Sequence, residues 1–129
     1  MDDQDKITIN GVEYIRADKV PQDDEGRVLA PLKDGMEYCM VRTYSAGVFA
    51  GYIERREGKE VTLRNARRIW FWAGAASLSE LATRGTSAPQ ACKFPCEVDS
   101  VTLTEVIEII PITEMAKESI QGVPEWRKN

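Results

Sequence analysis

The chain has 129 residues, 43% of them hydrophobic, with 21 acidic side chains, 17 basic ones and no histidine. That length bounds it to one domain with a modest core, and that composition excludes wholesale disorder. No apolar run approaches the roughly 18 residues of a membrane span. The acidic start is followed by no signal-like stretch, so an unsecreted protein with no membrane partner is expected.

"KITINGVEYI" is a hairpin signal, because two β-prone runs flank Asn10-Gly11 and a type I′ turn needs φ > 0 at both positions. Residues 17–35 are rich in Pro, Gly and Asp and read as a linker, with a short extended piece at 27–29. The expected division is therefore tail, hairpin and linker over 1–35, a compact core over 36–123, and a mobile tail over 124–129.

A meander follows, enriched in Val, Ile, Tyr, Phe, Trp and Thr. Strands are expected near 37–44, 48–56, 59–64 and 67–73, with turns at Ser45-Ala46-Gly47 and Glu57-Gly58. A helix comes next. Ser77 and Glu80 have the spacing of a capping box, Leu78, Leu81 and Ala82 share a face, and Gly85 suits the C′ position. "CEVDSVTLTEVIEIIPI" holds one short and one long strand, with Glu105 among inward-facing apolar residues. Glu105 either marks a bulge, the favoured reading, or faces inward and needs a partner. Thr113 can cap a last helix, 114–121, which Gly122 and Pro124 stop. The fold class is α+β: mainly an antiparallel β meander curled into a small sheet or barrel, with two short helices.

The three cysteines, Cys39, Cys92 and Cys96, are an odd set in a chain without a signal peptide, which favours reduced thiols. A zinc site needs four ligands, and three thiols without histidine do not supply them, so no metal is expected. The missing imidazole also removes the usual general base and the Ser-His and Cys-His pairs. No spacing announces catalysis by other groups; a non-enzyme with no catalytic residues and no cofactor is expected.

Residues 42–84 carry eight bases against four acids, inside a chain of net charge −4. That balance disfavours general nucleic-acid binding but leaves room for a local pocket that takes a small anion. The alternative is a solvated hairpin of mixed charge.

"VRTYSAGVFAGYIERREGKEVTLRNARRIWFWAGAASLSELA" followed by "LTEVIEIIPITEMAKESI" resembles a family of small, uncharacterised proteins encoded by tailed phages and prophages. The likeness spans about residues 37–121 and leaves out the N-terminal hairpin. It implies a phage origin and a bacterial host cytoplasm. It carries no activity and no site residue.

The candidate site centres on "RNARRIWFW". In a strand, Arg68, Trp70 and Trp72 point to one face, and Arg67, Ile69 and Phe71 to the other, where Ile69 and Phe71 should be core. Indoles stack on a flat base and guanidinium forks onto phosphate, so Arg67, Arg68, Trp70 and Trp72, with Asn65 beside them, are the candidate ligand set. Ser45, in the glycine-containing turn, and Ser77, at a helix N-terminus, are the further candidates. The competing readings are a subunit contact and plain core packing. The carboxylates Glu97, Asp99, Glu105 and Glu108 could pair as acid and base, but they read better as a solvated face. The functional expectation is a phage accessory protein that binds a host-derived molecule, in its sharpest form a sponge for a nucleotide-type immune signal. The alternatives are a virion decoration or assembly protein and a protein inhibitor of a host enzyme. The expected partners are a small anionic nucleotide-like ligand or a host protein, and other copies of the chain, because a small sheet leaves edges and aromatic surface that need cover.

Overall fold

In a computed structural model, residues 22–128 are described, together with two strands that precede them, β1 (Lys6–Ile9) and β2 (Val12–Ile15). β1 and β2 pair antiparallel with Ile9 opposite Val12. The expected turn residues Asn10 and Gly11 lie outside the described residues.

The body is one five-stranded antiparallel sheet built from β3 (Tyr38–Thr43), β4 (Val48–Glu57), β5 (Glu60–Arg68), β6 (Glu97–Leu103) and β7 (Val106–Pro111), in the order β6-β5-β4-β3-β7. Only Thr104 and Glu105 join β6 to β7, yet these two strands are opposite edges of the sheet. A two-residue link spans on the order of 10 Å from strand end to strand end. The sheet must therefore curl until its edges nearly meet at that end. The edges do not pair, so it stays an open, curled sheet rather than a closed barrel.

This geometry corrects the reading of one long strand through Glu105. The strand is interrupted at Thr104-Glu105, and Glu105 is exposed in the link. Its carbonyl accepts from the Tyr44 amide, 2.9 Å. The bulge lies nearby: Arg42 pairs with Glu108 and Thr43 with Val106, so Ile107 is the extra residue.

Curling gives the sheet two cores. β3 alternates strictly between them, as a strand buried on both faces does. Cys39 and Val41 face the inside of the curl with Phe49, Val61, Leu63 and Leu103. Tyr38 and Met40 face outward onto the helices with Ala50, Leu81, Phe94 and Ile120.

A second bulge sets the exit of β5. Tyr52 pairs with Arg64 and Ala50 with Arg67, so Asn65 and Ala66 together oppose Gly51. Asn65 takes φ +50°, a left-handed conformation that Asn tolerates. Gly51 is required by the close approach of backbones: a Cβ there would lie 3.1 Å from the Ala66 Cα and 3.2 Å from the Arg64 carbonyl oxygen. The extra residue advances the alternation by one place. Ala66 joins the inner core, and Arg67 and Arg68 leave on opposite faces.

The expected fourth strand over 67–73 does not form. Ile69 still donates to the Val48 carbonyl, 2.8 Å, and then the chain changes partner. The amides of Trp70 and Phe71 turn to the Lys93 carbonyl, and Lys93 donates back to Phe71, 2.8 Å. Ile69 is buried in the outer core as expected, but Phe71 is 48% exposed.

Helix α1 (Leu78–Arg84) starts at Ser77, whose hydroxyl accepts from the Glu80 amide, 3.2 Å. Its C-cap Gly85 has φ +79° and donates to Leu81. Helix α2 (Glu114–Gln121) starts at Thr113, which accepts from the Ala116 amide and donates to the Thr83 carbonyl, tying the two helices together. Both helices pack on the outer face of the sheet.

Two segments expected outside the core are bonded to the body. Residues 28–30 run along 112–114: Ala30 donates to Ile112, Glu114 donates to Val28, and Ala30 is buried. At the far end, Trp126 donates to the Phe94 carbonyl, 2.9 Å, beside a parallel bridge between Phe94 and Glu125. The expected linker thus packs on the outer core through Ala30, and the expected tail is tied to the body by backbone bonds at Glu125 and Trp126.

Candidate functional site

A cleft of about 410 Å³ opens between the β3–β4 turn and the exit of β5. The turn is locally determined. Thr43 Oγ1 accepts from the Ala46 amide and donates to the Gly47 carbonyl, each at 2.8 Å, and the Thr43 amide donates to the same carbonyl at 2.9 Å. Gly47 closes it at φ +92°, where other residues are strained. The opposite wall is Arg68, Ile69, Trp70 and Trp72. Trp70 is 64% exposed because it sits where the chain has left β4 for Lys93. Trp72 is half-buried and rests on the outer core.

Arg68 is fixed from two sides. Its Nη1 donates to the Ala46 carbonyl, and its guanidinium carbon lies 4.3 Å from the centroid of the Phe49 ring. Phe49 is the residue paired with Arg68 across β4 and β5. Among the described residues no carboxylate forms a salt bridge with Arg68, in contrast to Arg42 with Glu108 at 3.1 Å and Arg64 with Glu54 at 3.3 Å. No Asp or Glu among the described residues lines the cleft. Such a fixed cation beside an exposed indole can hold an oxyanion and stack a ring.

Residues 36–120 match a family model described as Domain of unknown function (DUF6948). The chain belongs to the DUF6948 family. No curated protein and no solved structure matches it. The DUF6948 region holds the five strands of the sheet, α1, all but the last residue of α2, and every residue of the cleft; β1 and β2 lie before it.

Of the seven sequence-derived candidates in this DUF6948 chain, the fold brings four together in the cleft: Ser45, Arg68, Trp70 and Trp72. The other three are elsewhere. Arg67 crosses to the outer face and donates to three backbone carbonyls, Pro95 at 3.1 Å, Ile120 at 3.0 Å and Phe94 at 3.0 Å. Burial pulls its pKa down from the usual arginine value. Arg67 thus clamps the end of α2 to the sheet, beside a separate cavity of about 380 Å³ lined by Tyr38, Cys96 and Gln121. Asn65 is the bulge residue, and its Oδ1 accepts from Lys33 Nζ, 2.9 Å. Ser77 is occupied as the α1 cap and does not line the cleft.

Sequence reading missed Phe49, the platform under Arg68, and the Ala46 carbonyl. Both follow from the bulge, and its only trace in the sequence is an asparagine inside a strand that faces a glycine.

Among the described residues no group of three His, Cys, Asp or Glu side chains is placed to hold a metal ion. Cys39 and Cys92 are buried and Cys96 is exposed, all as free thiols. No helix of the described residues is long and apolar enough to cross a membrane.

Proposed function

We propose that this protein is a non-enzymatic phage accessory protein that acts in the bacterial host cytoplasm as a homo-oligomer. It binds a host-derived molecule in the cleft of Ser45, Arg68, Trp70 and Trp72, and so sequesters a nucleotide-type immune signal. The observation that carries this reading is Arg68, held over Phe49 with no carboxylate partner among the described residues and opening into the same cleft as an exposed indole. Preorganised donors bind tightly because little ordering is left to do on association. Binding without turnover fits a cleft whose lining, among the described residues, holds one hydroxyl, Ser45, and no titratable base. Phage origin and location rest on the resemblance of the strand motifs.

Native mass spectrometry of the protein purified from bacterial lysate tests the reading. The expected result is an oligomer carrying a small molecule that is lost in Trp70→Ala. A ligand-free spectrum from lysates of infected and uninfected cells alike would overturn it.

A protein partner, as for a virion component or an enzyme inhibitor, is favoured by a different patch. Phe71 and Trp126 share the Lys93 ammonium, at 5.9 Å and 5.6 Å from the ring centroids. Detection of the chain in purified virions would support the virion role.

A further inference from the structure

We infer that the cleft selects a ligand with one flat ring system and one singly placed oxyanion, of the class of a nucleoside monophosphate, and grips that oxyanion through the Nε–Nη2 edge of Arg68. This deepens the proposed function and rests on the cleft being a ligand site.

Guanidinium offers five N–H groups in one plane. Nη1 is committed to the Ala46 carbonyl. One face of the plane is covered by the Phe49 ring. No described residue accepts a hydrogen bond from Nε or Nη2, which leaves the two parallel donors of that edge for a ligand. Such a pair matches two oxygens of one phosphate, as a single fork on a single group.

Charge count limits the ligand further. Among the described residues Arg68 is the only cation lining the cleft. A second or third phosphate would find no partner there, and the chain as a whole is acidic, with net charge −4. The ring site is equally singular. Trp70 offers an exposed indole, whereas Trp72 rests on the outer core and forms part of the floor. The volume, about 410 Å³, is near the low end of small-molecule sites, which run from about 300 to 1,000 Å³.

The test uses the full chain and titrates it by calorimetry with AMP, GMP, CMP and UMP, then with the nucleoside, di- and triphosphate of whichever binds tightest, and with inorganic phosphate. At least one monophosphate should bind ten times more tightly than its nucleoside or inorganic phosphate, and the second and third phosphates should change affinity less than threefold. Arg68→Lys keeps the charge and loses the fork, so monophosphate affinity should fall at least tenfold while that for the nucleoside is unchanged. Should Arg68→Lys fail to fold, Trp70→Ala, a change at an exposed position, should weaken nucleoside and monophosphate alike without moving the thermal midpoint. Failure of all four monophosphates, a tenfold gain with each added phosphate, or wild-type affinity in Arg68→Lys would overturn the inference. A lysate ligand with several phosphates, lost in Trp70→Ala, would overturn it while leaving the cleft a ligand site. An empty cleft in the lysate experiment would remove both.

Discussion

Ile69 and Phe71 are two residues apart, and their side chains meet different surroundings. Ile69 is 3% exposed among Met40, Leu81 and Phe94, whereas Phe71 lies near Lys93 at the surface. Ile69→Ala should cost about 2–5 kcal/mol through lost burial and the cavity left behind. Phe71→Ala should cost about 1 kcal/mol or less, as a half-exposed site does. Urea denaturation of the two variants checks the order, and a larger loss at Phe71 would contradict the partner change at Lys93. Strand periodicity alone placed Phe71 in the core beside Ile69. Alternation holds only while a strand keeps its partner, and the hydrogen bond from Phe71 to Lys93 reaches 22 residues along the chain, beyond any local pattern. The caps were legible for the opposite reason. Ser77 and Thr113 each bond an amide three residues on, so the signal and the structure occupy the same short window.

At the scale of elements, β5 and α2 are joined by one side chain. Arg67 satisfies the Ile120 carbonyl at the end of α2 and the Phe94 and Pro95 carbonyls of the loop before β6. A cation at a helix C-terminus also meets the negative end of the helix dipole. Arg67→Leu leaves three carbonyls without this donor in a half-buried place. It should cost about 2–4 kcal/mol, measured by thermal or urea unfolding. The same variant should leave the cleft able to bind, because Arg67 does not line it. In the sequence, Arg67 and Arg68 read as one basic pair. Their separation into a clamp and a candidate binding group depends on the bulge at Asn65, and that depends in turn on Gly51 across the sheet. Propensity reports neither. The hairpin between β4 and β5 was legible, since Gly58 supplies its turn at φ +60°.

For the whole molecule, the meander and the helices were readable, and the way the sheet bends was not. Strand order puts β6 and β7 at opposite edges, so their relation is set by the link between them and by no pairing. That link also holds the β3–β4 turn, through the bond from Tyr44 to Glu105, and thus one wall of the cleft. Its length should therefore act on the girth of the molecule, as a drawn cord sets the mouth of a bag. Cys39 reports on the interior: it is 1% exposed, and burial pushes its thiol up to about 12. At pH 8 the native chain should offer Cys96 to a thiol reagent and withhold Cys39. Two residues, Gly-Ser, inserted between Thr104 and Glu105 should slacken the cord and raise the reaction rate of Cys39 at least tenfold. The same insertion between Gly58 and Lys59 lengthens a turn that spans only neighbours and should leave Cys39 as it was. Equal rates in the two variants would mean that the girth is held by the packing of the interior, and that the two residues at the link merely follow it.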